Sequence, residues 1–211
     1  EFSLDDEAGP KATWARYIFG VCREMMALGV PVEGFNTAFS GDVPLGAGMS
    51  SSAALESTYA FALNDMFGDN KVEKMELARV GQRTEHKYVG CNCGIMDQFA
   101  SVFGKAGYLM RLDCRSGEFS YFPWHPKGYR LVLVNSCVKH ELVGSPYNDR
   151  RRSCENVAAA INRLHPDVKS LRDATYEMLD EVRSEVSEED ALRAHYVIGE
   201  RERVLAVCDA L

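Results

Sequence analysis

No lysine occurs between Gly41 and Asn70, although the most conspicuous glycine turn of the chain lies inside that interval. A Walker A loop ends in Gly-Lys-Ser/Thr, so this turn is not one. The dinucleotide fingerprint fails as well, because Ser51 stands where the third glycine after Gly46 and Gly48 is required. No apolar run approaches membrane-spanning length, and no signal-peptide pattern opens the chain. The seven cysteines are odd in number and have no framework spacing. Only Cys91-Asn-Cys93 is a close pair, and no Cys/His quartet at zinc spacing completes it. Free thiols in a reducing cytoplasm are therefore expected, with a redox pair as the less favoured alternative. Internal repeats and low-complexity tracts are absent. Glu1 to Pro10 is acidic and aperiodic, and no initiator methionine precedes it, so it is expected to be a linker or loop within a longer protein.

Among what is present, 211 residues suffice for a substantial core, in one large domain or two small ones. A hydrophobic content of 46% and a charged content of 26% are ordinary for a soluble globular protein. The net charge of −7 and pI near 5.3 argue against nucleic acid or an anionic membrane as the main partner.

The chain is organised around Pro44-Leu-Gly-Ala-Gly-Met-Ser-Ser-Ser-Ala-Ala-Leu-Glu56. Gly46 and Gly48 permit a tight turn. A helix follows, with Leu55, Tyr59, Ala62, Leu63 and Met66 expected on its inward face and Gly68 at its end. A glycine turn running into a helix start offers unpaired N–H groups and a positive dipole end, which together suit phosphate. Without a lysine, the charge would be met by backbone dipoles, serine hydroxyls and a metal ion. The plainer alternative is a glycine turn with serine capping the helix.

Helices are expected over Thr13–Leu28 with Trp14, Ile18, Val21, Met25 and Leu28 inward, over Lys71–Tyr88, from about Asp97 onward, over Tyr147–Leu164, Ala174–Val182 and Ser187–Ala210. Trp14 is most simply a core anchor. Ser145-Pro146 reads as N-cap and N1 of the Tyr147 helix, and Ser187 with Asp190 as a capping arrangement. Period-two patterns predict strands over Phe35–Ser40, Tyr108–Asp113, Glu118–Trp124 and Arg130–Asn135, with turns at Ser116-Gly117 and Lys127-Gly128. The run Arg83-Thr-Glu85-His86-Lys87 and the cluster Arg150-Arg151-Arg152 read in isolation as solvated charge. Asp97 reads as a carboxylate favoured by the helix dipole, worth roughly 0.3–1 kcal/mol. The order of elements is α+β.

The wording of the glycine turn closely resembles the second motif of the GHMP small-molecule kinases, and its triple serine resembles the galactokinase branch in particular. Gly94-Ile-Met-Asp97-Gln-Phe99 is similar to the segment that carries that branch's catalytic aspartate, with Glu85-His86 upstream at the family's separation. Trp14, Tyr17 and Gly20, Leu112-Asp-Cys-Arg-Ser116, Asn135-Ser136 and Tyr147 with Arg150 to Arg152 match in order, so the resemblance runs from Trp14 to Arg201. It implies a ribosomal-protein S5 domain 2-like N-terminal domain over residues 1–127 and the start of a ferredoxin-like C-terminal domain over 128–211, both incomplete here. It implies that Pro44, Gly46, Ala47, Gly48, Met49, Ser50, Ser51, Ser52 and Ala53 bind ATP, with Trp14 near the adenine. Ser52 and Glu85 would hold Mg²⁺. Asp97 would be the catalytic carboxylate, lining the sugar site with Gly94 and Tyr147. The implied reaction is transfer of the γ-phosphoryl of ATP to the C1 hydroxyl of galactose, by a cytoplasmic monomer.

The family's first motif, Gly-Glu-His-x-Asp-Tyr, and its glycine-rich third motif do not occur in these residues. These residues alone are therefore expected to be inactive. Two rivals share the resemblance: a kinase for N-acetylgalactosamine, and a non-catalytic sensor that binds galactose and ATP. Such sensors lose small residues of the loop, and Ser52-Ala53 are intact here.

Overall fold

A computed structural model describes residues 1–137 and 147–211, which divide into two compact units, Glu1–Val143 and Gly144–Leu211. The first unit is built on helices α1 (Thr13–Ala27), α2 (Ser51–Phe67), α3 (Lys74–Thr84) and α4 (Met96–Phe103). Ile18, Val21 and Met25 of α1 meet Tyr59, Ala60 and Leu63 of α2 and Leu77 and Val80 of α3 in one apolar core. Full burial of each large member contributes about 1.5–3 kcal/mol. Trp14 and Leu28 are not part of it, being 57% and 41% exposed. Trp14 is therefore not a core anchor. Its indole rests against Phe39 at the surface, ring centroids 5.9 Å apart.

The inward face of α2 also differs from expectation. Ala62 and Met66 face solvent, and the buried line runs through Ala53, Glu56, Ala60, Leu63 and Asn64. The expected face followed apolar residues alone, whereas two polar side chains are held inside by hydrogen bonds. Asn64 donates from Nδ2 to the Val72 carbonyl at 3.0 Å and accepts from the Val72 N–H at 3.1 Å. Helix α2 ends at Gly68, but the left-handed residues beyond it are Asp69 and Asn70.

Helix α3 passes at Glu85 into a single π-helical turn, Glu85–Val89, closed where the Glu85 carbonyl accepts from Gly90 and Cys91. Such wide turns collect at functional sites. The charge run here is not simply solvated. Glu24 of α1, 3% exposed, pairs with Arg83 Nε at 2.6 Å and Lys87 Nζ at 2.8 Å, while Thr84 and Glu85 are buried.

Of the four expected strands, two form. β1 (Tyr108–Leu112) and β2 (Phe119–Pro123) make an antiparallel hairpin in register Tyr108 to Pro123. Gly117 takes the turn at φ 79°. Phe99 and Phe103 of α4 pack on Phe119 of β2. Phe35–Ser40 is no strand, although its alternation is real: Phe35, Thr37 and Phe39 all meet Tyr59 of α2, Thr37 by a 3.0 Å hydrogen bond. Arg130–Asn135 likewise pairs with no strand among the described residues, and Leu131 to Val134 are 67–86% exposed.

The second unit holds α5 (Tyr147–Leu164), α6 (Tyr176–Glu181) and α7 (Glu188–Ala210) around Val157, Ile161, Leu179, Ala191 and Ala194. Ser187 caps α7 by accepting from the Asp190 N–H at 3.1 Å. Ser145-Pro146 lies outside the described residues. Arg151 and Arg152 pair at the surface with Glu155 and Asp149, as solvated charge does. No helix among the described residues is long and apolar enough to cross a membrane.

Because Glu24 ties α1 to the end of α3 by two charge-assisted bonds, Glu24→Ala should destabilise the full-length protein by about 2–3 kcal/mol in urea unfolding. Lys71→Ala, which breaks a pair exposed on both sides, should leave the urea midpoint essentially unchanged.

Candidate active site

The turn before α2 carries Gly46 at φ 67° and Gly48 at φ 71°, left-handed conformations that a β-carbon would strain. Ser50 follows, also left-handed, and its side chain makes no cap bond to the helix. Serine capping, the plainer sequence alternative, is therefore not what this turn does. The first helical bond of α2 runs from the Ala54 N–H to the Ser50 carbonyl at 3.0 Å. The N–H groups before it project from the helix end, where the dipole is positive. Pro44 and Met49 are exposed, Ala47 and Ser51 half-buried, and Ala53 fully buried where the helix enters the core.

One turn into α2 the chemistry changes sign. Ser52 lies half-buried beside Glu85, which is 2% exposed. Burial raises the Glu85 carboxyl above its usual range, and hydrogen bonds from the Ser52 hydroxyl and the Cys91 thiol oppose that rise. Its Oε2 has no hydrogen-bond partner. Glu56, four residues along α2 from Ser52, is wholly buried against the same centre. Burial pushes its carboxyl up to about 9, the neighbouring Glu85 adds to this, Gln98 opposes it and Asp97 adds again. Gln98 Nε2 donates to Glu56 Oε2 at 3.1 Å. Gly81 of α3 makes this approach possible: a β-carbon there would stand 2.8 Å from Gln98 Cγ and 3.0 Å from Glu56 Oε2.

Asp97 occupies the first turn of α4, half-buried, as the sequence predicts. Gly94 lies exposed in the loop before it. Tyr17 of α1 completes the group, its phenol held well above the usual range by burial and by the Glu85 and Glu56 carboxylates. The first unit thus gathers Ser52, Glu85 and Asp97, all named from the sequence, and adds Glu56, Gln98 and Tyr17, which were not assigned a role. Glu56 was findable, since Ser52 and Glu56 are four apart on one helix face. Trp14 sits on the exposed side of α1 against Phe39. Tyr147 opens α5 in the second unit.

Residues 16–105 match the family model described as the GHMP kinases N terminal domain. Over those residues the chain is similar to a GHMP kinase N-terminal domain. That stretch contains the glycine turn, the Ser52–Glu85 pair and Asp97. The chain is 41% identical over 198 residues to a galactokinase of Thermotoga maritima, covering 94% of this chain and 54% of that protein. A galactokinase of Thermosipho africanus is 38% identical over 199 residues, with the same coverage. The chain thus spans about half the length of the curated relatives it matches. The crystal structure of Lactococcus lactis galactokinase complexed with galactose shares the fold, with a TM-score of 0.76 at 24% identity, over 98% of this chain and 53% of that one. The expected α+β class and GHMP kinase fold hold for the chain.

Glu56 gives the domain a pH signature. Its folded-state value of about 9 lies above the ordinary 4.5, so the stability it lends is complete below the ordinary value and is lost as pH rises through the folded one. In the absence of divalent cations, stability should fall between pH 5 and pH 9 with a Glu56 share of up to roughly 1.4 kcal/mol per pH unit. Glu56→Gln should flatten that fall while leaving the smaller Glu85 share. An unchanged slope in urea titrations across this range would show that Glu56 does not carry it.

Proposed function

We propose that the full-length protein is a galactokinase, transferring the γ-phosphoryl of ATP to the C1 hydroxyl of galactose. The observation that carries this is the meeting of opposite electrostatics at one point. The uncapped, dipole-positive start of α2 suits phosphate, and Ser52 in its first turn touches a buried carboxylate with an unpartnered oxygen. In this reading Pro44 to Ala53 cradle the phosphates through backbone N–H groups, with Trp14 and Phe39 offering an aromatic surface to the adenine. Ser52 and Glu85 fit Mg²⁺ as hard oxygen ligands, and the orphaned Glu85 Oε2 is the donor in waiting. When bound, Mg²⁺ would neutralise phosphate charge beside them.

Asp97 faces the sugar hydroxyl as base or orienting group, with Gly94 leaving room for the ring and Tyr147 as a further sugar-binding residue. Glu56 stays protonated at neutral pH and holds Gln98, which follows Asp97 in α4, by a hydrogen bond. Phosphoryl transfer asks little covalent chemistry of the protein, so positioning dominates. Residues 1–127 would be the ATP-binding domain, with 128–211 opening the second. We place the protein in the cytoplasm on the reading of its odd and unframed cysteines, and as a monomer on the family resemblance.

The test is ADP release by the full-length protein across a sugar panel. Galactose should be the preferred acceptor. A preference for N-acetylgalactosamine, or ATP binding without turnover, would overturn the assignment. Asp97→Asn should keep folding and nucleotide binding and lower kcat by roughly 10²–10⁴. Near-normal turnover in that variant would remove Asp97 from the chemistry.

A further inference from the structure

The phosphoryl-transfer reading leaves two thiols unused, and both stand against its metal ligand. The Sγ atoms of Cys91 and Cys93 and a carboxylate oxygen of Glu85 all lie within 4.8 Å of one another. Cys91 is fully buried, Cys93 half-buried and Glu85 2% exposed. Independently of that spacing, Glu85 Oε2 is buried with no hydrogen-bond partner. We propose that Glu85, Cys91 and Cys93 form a binding site for a thiophilic divalent cation of the Zn²⁺ class, and that filling it withdraws Glu85 from Mg²⁺. The second half rests on the galactokinase reading of Glu85; the first does not.

Donor chemistry separates the two ions. Mg²⁺ requires an octahedral set of hard oxygens and makes no use of thiolates. Zn²⁺ accepts sulfur and carboxylate oxygen together in a tetrahedron. With Zn–S near 2.3 Å and Zn–O near 2.1 Å, neighbouring donors of a tetrahedron stand about 3.5–3.8 Å apart. The three donors therefore need to draw together by about 1.3 Å at most, within reach of side-chain rotation. The backbone around them is held for this. The Cys93 carbonyl is bonded to His86 Nε2 at 2.8 Å and to Gln82 Nε2 at 3.2 Å, and the Cys91 N–H donates to the Glu85 carbonyl at 3.0 Å. On binding, each thiol gives its proton to solvent, so two thiolates and one carboxylate face the ion and water takes the fourth position.

Zn²⁺ should then inhibit turnover in competition with Mg²⁺, and a chelator should restore activity. The experiment uses the full-length protein, reduced and stripped of metal. Titration with Co²⁺ should give thiolate-to-metal charge-transfer absorption and the strong visible bands of a tetrahedral site, both removed by Zn²⁺. Cys93→Ser, which keeps the backbone carbonyl and its bonds, should retain basal turnover, abolish the charge-transfer band and raise the Zn²⁺ concentration for half-inhibition by at least roughly tenfold. Cys91→Ser should abolish the band as well. Cys114→Ser, an exposed thiol elsewhere, should change neither readout.

A wild-type protein without a cysteine-dependent Co²⁺ band overturns the site, whatever the turnover. Zn²⁺ inhibition that Cys93→Ser fails to relieve overturns the competition. Failure of the galactokinase reading shows differently, as loss of turnover with the Co²⁺ band and its dependence on Cys93 intact.

Discussion

Glu85 is buried at the centre of the first unit, and the groups packed around it make that burial tolerable. An ionised carboxylate taken from water costs several kcal/mol unless its surroundings replace the hydration. Here the π-helical turn that begins at Glu85 brings Cys91 under it, and the first turn of α2 brings Ser52 over it. Glu56 beside it avoids a second buried charge by staying protonated. The neighbouring cations do not help directly, because Arg83 and Lys87 are drawn to Glu24 on α1. The same two bonds clamp α1 to residues on either side of the point where the π-helical turn begins. A buried carboxylate thus lies one turn from a dipole-positive helix start, and the two ask for opposite partners, a cation at the carboxylate and an anion such as phosphate at the helix start.

How much of this was legible in the sequence depended on whether a signal was local. Helix α1, the start of α2, α4 with Asp97 in its first turn, the hairpin and the Ser187 cap all follow from residues within a few positions of one another, and all are present. Which face of α2 turns inward was not local. Glu56 and Asn64 are buried because partners on α4 and after α2 accept and donate to them, and an apolar pattern has no term for that. The charge run failed for the same reason, since a buried acid 59 residues before Arg83 decides its fate. Of the cluster around Glu85, the motif wording supplied Ser52, Glu85 and Asp97. Tyr17 and Gln98 needed the packing of α1 and α4 against α2 and α3 to become visible.

The two period-two segments that form no strand make a sharper point about what alternation encodes. Phe35, Thr37 and Phe39 do face one way, toward Tyr59, so the pattern identified the inward side. A strand, however, is a property of a pair, since its hydrogen bonds run to a neighbour. Alternation specifies a face and is silent about the neighbour. β1 and β2 succeed because Gly117 turns one directly onto the other. Leu131 to Val134, whose alternation gives way to a continuous apolar run, have no such neighbour among the described residues and remain largely exposed. A run of that kind is the signature of a strand covered on both faces. Its side chains therefore state a requirement for coverage that no described residue of this chain meets. That requirement is as much a part of the fold's chemistry as the contacts that are made.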